Sequence, residues 1–337
     1  MAIMHSLDEI GLLPAITSSV KSRKDVNPFY SNGNLPIFVA PMTCIVRKDN
    51  YYTFEQNKFN AILPVSTADD CYGRLFDDGR WIALTFNHFK MWFVDGYARR
   101  DVPYNILIDV ANGHMQELYD VVREAKKQYS MLKVMIGNIA NPATYIECCD
   151  AGVDYVRVGI GGGKGCLTSV MTGIHASLPY LLENINAYRV SNENATTKVI
   201  ADGGIDTTDK IIKCLALGAD YVMMGRPFAS CDGVCKAVTV TKKVDPTTND
   251  KIEEYYGLYY GQASVEGQFD RFGEVKSYPE GTSIKVLIDK DLVSFEQEIE
   301  ASLRSAMSYC GATKLSEFIG KVQYMYMSHN EFIQYKK

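Results

Sequence analysis

The 337-residue sequence has little of what membrane, secreted or nucleic-acid-binding proteins need. No apolar run approaches the roughly 18 residues that span a bilayer, and residues 1–13 lack the basic start and apolar core of a secretory signal. The 35 lysines and arginines are outnumbered by 40 aspartates and glutamates and are scattered along the chain. This balance argues against a general nucleic-acid binder. We therefore expect a cytoplasmic protein with no membrane and no nucleic-acid partner.

Histidine is scarce too, and this limits metal chemistry. The five histidines are dispersed, and Cys231 and Cys235 are followed by no second Cys/His pair at zinc-finger spacing. The ligand count and spacing therefore argue against a zinc site. The nine cysteines, in a chain without an export signal, are interpreted as reduced thiols, most of them small core residues.

Short apolar runs recur along the chain and are mostly separated by helix-like stretches such as 115–129, 142–151, 178–190 and 207–217. Most runs show no polar alternation, which is typical of strands buried on both faces of a parallel sheet. Eight such units closing on themselves form a (β/α)₈ barrel, the TIM-barrel fold. We predict one α/β domain over residues 1–337 with barrel strands at 36–42, 61–66, 81–86, 105–111, 133–139, 155–160, 198–204 and 221–226.

The competing architecture is an open, doubly wound sheet. That fold carries a glycine fingerprint after its first strand, whereas this chain has Pro41-Met42-Thr43 there. Its glycine loops follow the sixth, seventh and eighth runs instead, and the late loops of a barrel are the usual phosphate-binding place. The glycine positions therefore favour the barrel.

A glycine-crowded loop after the sixth run presents a cysteine. Gly161, Gly162, Gly163 and Gly165 permit backbone conformations that turn N–H groups toward an anion. Cys166, near Lys164, is then a candidate nucleophile, with the Thr168 hydroxyl close by. The alternative is a tight surface turn with an incidental cysteine.

Polar residues occupy the carboxyl ends of the runs: Asp109, Asn138, Cys166, Asp202 and Arg226. Each has a structural explanation of its own; Asp109 could bond a neighbouring loop and Asp202 could cap a helix. Because active sites lie at this face of a barrel, their convergence favours a ligand site.

The repeat pattern breaks after the eighth run. Residues 236–291 are polar, turn-rich and then aromatic, with a strand-like stretch at 283–288, and a helix is predicted over 292–308. A long excursion at the catalytic rim is most often a lid or active-site loop. The alternative is a disordered surface hairpin.

Over about residues 35–328 the chain resembles the IMP dehydrogenase/GMP reductase family. The likeness is carried by Asp109-Val-Ala-Asn-Gly-His114, Gly137-Asn138, Val158-Gly-Ile-Gly161, Cys166-x-Thr168, Ala201-Asp-Gly-Gly204, Gly218-Ala-Asp-x-Val-Met-Met-Gly225, Tyr260-Gly261, Glu280-Gly281 and Leu303-Arg-Ser-x-Met-x-Tyr-x-Gly-Ala312. Several independent motifs in the same order make chance resemblance improbable.

The resemblance implies a barrel, commonly a homotetramer, that binds a purine 5′-monophosphate and a nicotinamide cofactor. It implies that Cys166 adds to purine C2 and that Thr168 helps handle water or ammonia. Asp202 would bind the ribose, the backbone at Gly161, Gly204 and Gly225 the phosphate, and Gly261 and Gln262 the base. The remaining implied positions are Met42, Gly163, Gly203, Arg226 and Tyr260 for the substrate, Asp109, Ala111, Asn112 and Gly159 for the cofactor, Glu266 and Arg271 for catalysis, and Gly161, Gly163 and Cys166 for a potassium ion.

Two activities of the family are separated by an insertion. Its dehydrogenases use NAD and usually carry CBS modules between early barrel elements; its reductases use NADPH, release ammonia from GMP and lack the modules. Ser66 and Trp81 are too close to admit that insertion. We predict a GMP-reductase-like enzyme; a compact IMP dehydrogenase, prompted by Arg271 and Glu266, and a catalytically inactive nucleotide-binding paralogue are the alternatives.

Several positions depart from the family pattern. The reductase glutamate is displaced by one residue in Ser264-Val265-Glu266, and the dehydrogenase Arg-Tyr pair appears as Arg271-Phe272. At four further places this chain differs from the residues usual in the family. It has Met42-Thr43 in place of Met-Asp, Ser66-Thr67 in place of His-Lys, Arg226 in place of serine or glycine, and Gln262 in place of a base-contacting methionine. A changed base contact is compatible with a modified purine, because a site built for particular hydrogen-bond partners rejects analogues that lack them.

Overall fold

The computed structural model describes residues 4–65, 79–244, 250–328, 331 and 333. Ser66 and Thr67 lie outside the described residues. Near the ends of the chain, β1 (Ile10–Leu12) pairs with β13 (Tyr324–Tyr326) in an antiparallel ribbon that the sequence did not predict.

The centre of the molecule is an eight-stranded parallel sheet, in the spatial order β2-β9-β8-β7-β6-β5-β4-β3. A parallel bridge between Phe38 in the first of these strands and Asn60, just before the last, joins the two ends, with Val39 N donating to Asn60 O at 2.8 Å. The sheet therefore closes, and the predicted (β/α)₈ barrel is confirmed. The strands are β2 (Ile37–Val39), β3 (Ile62–Leu63), β4 (Trp81–Leu84), β5 (Tyr104–Asp109), β6 (Leu132–Ile139), β7 (Tyr155–Val158), β8 (Lys198–Asp202) and β9 (Tyr221–Met224).

Helices surround the barrel because their apolar residues recur at helical spacing. In α3 (Gln116–Gln128), Leu118, Val122 and Ala125 are buried while the charged residues between them face solvent. Side-chain caps fix some helix starts; Thr85 Oγ1, for example, accepts from His88 N. The other helices are α1 (Tyr51–Gln56), α2 (Phe86–Phe93), α4 (Thr144–Asp150), α5 (Thr168–Thr172), α6 (Leu178–Ser191), α7 (Thr208–Ala216), α8 (Val265–Phe272), α9 (Leu292–Tyr309) and α10 (Leu315–Phe318).

The inside of the barrel changes from apolar to polar toward the carboxyl ends of the strands. Alternate residues of each strand point inward, and an apolar cluster fills the middle: Phe38, Ile62, Ala83, Leu107, Met135, Ile200 and Met223. Nearer the carboxyl ends of β5, β7 and β8 lie Asp109, Arg157 and Asp202, respectively. Packing thus closes one end, and the ionisable side chains gather at the other.

The described parts of the excursion, residues 236–244 and 250–291, contain a three-stranded antiparallel sheet and one helix. In this sheet β11 (Lys251–Tyr260) pairs with both β10 (Val238–Val244) and β12 (Ser283–Leu287), and α8 lies between β11 and β12 in sequence. The end of β11 is buried at Tyr259 and Tyr260. The predicted strand at 283–288 is confirmed, and a lid role for the excursion stays a prediction.

None of the helices in the described ranges is long and apolar enough to cross a membrane. In the same residues no group of three or more His, Cys, Asp or Glu side chains could hold a metal ion.

Candidate active site

A cavity of about 470 Å³ opens at the carboxyl end of the barrel. Its wall is built from the carboxyl-terminal parts of the barrel strands and the loops that follow them, and from the part of the excursion around α8 and residues 280–281. The cavity therefore lies where the inward-facing polar residues gather.

The loop between β7 and α5 shapes the wall around Cys166. Gly161 has a φ of +78°, and a Cβ there would lie 2.5 Å from Ser169 Cβ, so a larger residue would disturb the loop. The excursion braces the same loop, since Leu167 N donates to Glu280 O at 2.8 Å and Thr282 N donates to Gly165 O at 3.0 Å. Cys166 is half-buried and lines the cavity.

A chain of hydrogen bonds runs from the thiol to a carboxylate. Cys166 Sγ donates to Thr168 Oγ1 at 3.3 Å, and Thr168 Oγ1 donates to Glu280 Oε2 at 3.2 Å. All three residues line the cavity. Glu280 belongs to the quoted Glu280-Gly281 motif but was assigned no role from the sequence. The arrangement supplies a nucleophile, a hydroxyl relay and a proton acceptor side by side.

The inward-facing carboxylates of β5 and β8 share one arginine. Arg157 Nη1 donates to Asp109 Oδ1 at 2.9 Å, and Arg157 Nε and Nη2 donate to Asp202 Oδ2 at 3.1 and 2.9 Å. Burial lowers the pKa of Arg157, but Asp202 and Asp109 outweigh it and raise the pKa above the ordinary value. Asn138 Nδ2 also donates to Asp202 Oδ2 at 2.9 Å. The three hydrogen bonds that Arg157 and Asn138 donate to Asp202 all go to Oδ2, so they leave its Oδ1 available to a ligand.

Gln262 contributes an unusual polar atom to the wall. Its Nε2 donates to Pro41 O at 2.5 Å, which orients the amide. Its Oε1 is buried and has no hydrogen-bond partner among the described residues. An unsatisfied buried carbonyl oxygen is costly, so a ligand donor here would be favoured.

The tyrosine pair at the end of β11 divides between two faces. Tyr259 lines the cavity, whereas Tyr260 OH donates to Asp270 Oδ2 at 2.6 Å and is absent from the cavity lining. Successive strand residues point to opposite faces, which explains why Tyr259, rather than the predicted Tyr260, faces the ligand space.

Two other predicted residues also lie off the cavity wall. Glu266 Oε1 accepts from Ser283 Oγ at 2.7 Å, and this hydrogen bond helps to lower the pKa of Glu266 below its usual value. Asn112 Oδ1 accepts from His114 N in an exposed turn. Neither residue lines the cavity. Arg271 does line the cavity, with Nη2 3.7 Å from Asp109 Oδ2.

Most predicted site residues converge on this one cavity. Those that line it are Met42, Asp109, Ala111, Gly159, Gly161, Gly163, Cys166, Thr168, Asp202, Gly203, Gly204, Gly225, Arg226, Gly261, Gln262 and Arg271. Residues that line it without having been predicted as site residues include Lys164, Asp206, Lys210, Tyr259 and Glu280.

Comparison with known proteins was made at the level of sequence. A sequence model of the IMP dehydrogenase / GMP reductase domain matches residues 98–334. GMP reductases of Bacillus licheniformis and Bacillus subtilis are each 29% identical to this chain over 345 aligned positions, covering 98% of both chains. An inosine-5′-monophosphate dehydrogenase of Chlorobaculum parvum is 33% identical over 220 residues, which are 63% of this chain and 43% of that relative. The match thus spans less than half of the dehydrogenase.

Proposed function

This chain belongs to the IMP dehydrogenase / GMP reductase domain family, and on that premise we propose that it is a purine-nucleotide oxidoreductase acting as a GMP reductase. It converts GMP to IMP and ammonia with NADPH as the reductant. The match to GMP reductases over 98% of both chains supports this activity. The short connection between β3 and β4, which has no room for an inserted module, supports it as well.

The observation that carries the proposal is the cavity-facing thiol of Cys166, hydrogen-bonded through Thr168 to Glu280. The thiolate adds to C2 of guanine, and the C2–N bond breaks as the amino group takes up protons and leaves as ammonium. A thioimidate between Cys166 and C2 remains. Hydride addition at C2 then breaks the C–S bond, so that IMP and the thiolate are released. GMP, NADPH and two protons thus become IMP, NADP⁺ and ammonium.

Thr168 and Glu280 move the protons in this sequence. The Glu280 carboxylate takes the thiol proton through the Thr168 hydroxyl and passes it to the leaving amine by the same route. General acid–base catalysis of this kind contributes roughly 10²–10⁴-fold to a rate.

The cavity wall after β5 fits a nicotinamide. Val110 and Ala111 offer an apolar surface there, and the Asp109 carboxylate beside them can accept from a carboxamide N–H. The bound cofactor supplies the hydride. Asp109, Ala111 and Gly159 would hold and orient it.

On the substrate side, Asp202 Oδ1 accepts from a ribose hydroxyl, while Arg157 and Asn138 fix the carboxylate through Oδ2. Backbone N–H groups near Gly161, Gly204 and Gly225 bind the phosphate. Gly204 has a φ of +75°, and a Cβ there would lie 2.9 Å from Gly162 O, so the two glycine loops approach closely only because both lack side chains.

Two further features belong to the proposal through family resemblance. The loop of Gly161, Gly163 and Cys166 would hold a potassium ion, and activity would then depend on potassium. The protein is a homotetramer, which is compatible with the exposure of Val170, Met171 and Ile174 in and after α5. Light scattering in solution tests the oligomeric state.

IMP dehydrogenase activity is the second candidate, and one contact favours it. Arg271 lines the cavity, 3.7 Å from Asp109, where an arginine could activate water for attack on a C2 adduct. In that case IMP, NAD and water are converted to XMP and NADH.

A paired assay tests both candidates. Purified protein with GMP and NADPH should lose nicotinamide absorbance and release ammonia in equal amounts, and intact-mass analysis should detect a GMP-derived adduct that is absent from Cys166→Ala. NADH formation from IMP and NAD, with no turnover of GMP, would replace the reductase by the dehydrogenase. Nucleotide binding without turnover in either assay would support the inactive paralogue.

A further inference from the structure

Three cationic side chains meet one carboxylate inside the cavity: Lys164 comes from the loop after β7, Lys210 from α7 and Arg226 from the short 3₁₀ helix after β9. Lys210 Nζ lies 3.0 Å from Asp206 Oδ1, and Arg226 Nη1 and Lys164 Nζ lie 3.2 and 3.5 Å from Asp206 Oδ2. All four residues line the cavity. We call these four side chains the Asp206 cluster.

The cluster is more than a solvated surface ion pair. Asp206 and Lys210 are mostly buried, with 20% and 14% of their side chains exposed. Burial raises the pKa of Asp206, but the lysines, Lys210 above all, outweigh it and lower the pKa below the usual range. The carboxylate therefore stays charged at neutral pH and holds the cations at the wall.

Arg226 supplies an independent indication of a ligand. Its Nε is buried and has no hydrogen-bond partner in the described part of the chain, although Nη1 bonds Asp206. An arginine with an unused donor beside a cavity can grip phosphate in a bidentate manner. The glycine backbones at Gly204 and Gly225 adjoin the cluster in the same wall.

We propose that the Asp206 cluster selects the phosphate monoester of the substrate by side-chain charge, and that Asp206 is an exchangeable counter-ion that weakens phosphate binding. This inference rests on the proposed function in that the phosphate is taken to be that of a purine 5′-monophosphate. Backbone amides bind a phosphate without contributing net charge. Here the side chains of Arg226 and Lys164 add positive charge, and this charge is paired with Asp206 until the phosphate binds.

Charge balance explains why Asp206 should weaken phosphate binding rather than strengthen it. The four side chains sum to +2, three cations less one carboxylate, and Lys210 also lies 3.7 Å from Asp8. A monoester phosphate carries about −1.5 to −2 charges at neutral pH. Asp206 repels this dianion and competes with it for the cations. Removing the Asp206 charge should therefore strengthen phosphate binding, whereas an Asp206 that only shapes the wall would predict weaker binding.

The test compares Asp206→Asn with Asp209→Asn. Asp209 lies in the first turn of α7, three residues after Asp206, and pairs with Lys213 at 3.0 Å, but does not line the cavity, so the control removes the same charge outside the site. Dissociation constants for GMP, guanosine and inorganic phosphate are measured by calorimetry at low and physiological salt. Asp206→Asn should bind GMP and phosphate about threefold or more tightly than wild type, with the gain reduced by salt and absent for guanosine; Asp209→Asn should match wild type.

Substitutions that remove a cation instead of the carboxylate complete the test. Arg226→Ser and Lys164→Ser should each weaken GMP binding and leave guanosine binding unchanged. Equal or weaker GMP binding by Asp206→Asn overturns the inference, as does a gain of the same size for guanosine. If the wild type binds phosphate in this Asp206-dependent way but binds no purine monophosphate, the proposed function fails while the cluster assignment stands. If it binds GMP without dependence on Asp206, only the cluster assignment fails.

Discussion

The hydroxyl of Thr168 donates a 3.2 Å hydrogen bond to the carboxylate of Glu280, a residue 112 positions later in the chain. Thr168 begins the helix after the cysteine loop, while Glu280 comes from the excursion that follows the eighth barrel strand. The contact therefore joins barrel and excursion next to the Cys166 thiol. Because Leu167 N also donates to Glu280 O, the residue is held by its backbone as well as its side chain.

We predict that Glu280→Gln lowers kcat for GMP reduction by about 100-fold or more while KM for GMP changes little. The amide keeps the size and hydrogen bonding of the side chain but accepts no proton, and general acid–base groups contribute on the order of 10²–10⁴-fold. Steady-state kinetics with varied GMP would check this by separating the effect on kcat from the effect on KM.

Glu266→Gln is the matched comparison. This glutamate also belongs to the excursion, but it bonds Ser283 and does not line the cavity, so kcat should stay within a few-fold of wild type. A large loss of kcat in Glu266→Gln together with a small loss in Glu280→Gln would reverse the roles of the two glutamates. It would favour the catalytic assignment of Glu266 made from sequence resemblance.

A second prediction concerns Arg157, which neutralises Asp109 and Asp202 inside the barrel. Arg157→Met leaves Asp202 without its paired arginine and Asp109 with only Arg271, 3.7 Å away, and breaking such a buried pair typically costs about 3–5 kcal/mol. Urea unfolding should give a free energy of unfolding lower by that amount. The triple variant Arg157→Met, Asp109→Asn, Asp202→Asn should recover part of the loss; if it is no more stable than the single variant, the pairing is not the source of the cost.

The barrel and most of its site were predictable because they depend on local patterns. Strands buried on both faces appear as continuous apolar runs; Asp202 lies within one such run, and Cys166 lies in the loop that follows another. The role of Glu280 was not predictable, since its approach to Thr168 depends on how the excursion folds back. The choice between Tyr259 and Tyr260 depends on the register of β11, and adjacent tyrosines give no alternation from which to infer it.

A third prediction follows from His114, whose ring links two loops at the carboxyl end of the barrel. Its Nε2 accepts from Ala140 N at 3.1 Å and its Nδ1 contacts Thr144 Oγ1 at 3.0 Å, so the neutral ring fits this place. Burial lowers the pKa of His114 below the ordinary value. The unfolded chain therefore binds a proton more readily, and the stabilisation by His114, complete above about pH 6.5, is lost as pH falls below that value toward the folded-state pKa.

Thermal unfolding midpoints between pH 8 and pH 5 would measure this effect. His114→Gln should be less stable than wild type at pH 8 but should lose less stability on acidification. His175→Gln, a change at an exposed histidine, should keep the wild-type slope. An unchanged slope for His114→Gln would contradict the assignment.

A fourth prediction concerns the base. Gln262 Nε2 is committed to Pro41 O, which leaves the buried Oε1 as an acceptor without a donor. Guanine presents an N1–H that could satisfy it, whereas 1-methylguanine does not, and one neutral hydrogen bond contributes about 0.5–1.5 kcal/mol. Wild type should therefore prefer GMP over 1-methyl-GMP, and Gln262→Met should narrow that preference by about threefold to tenfold because its thioether is a weak acceptor. Calorimetric dissociation constants for the two nucleotides give the ratio directly. An identical ratio in both proteins would mean that Oε1 of Gln262 does not face the N1 edge, and base selection would then rest on the backbone around Gly261.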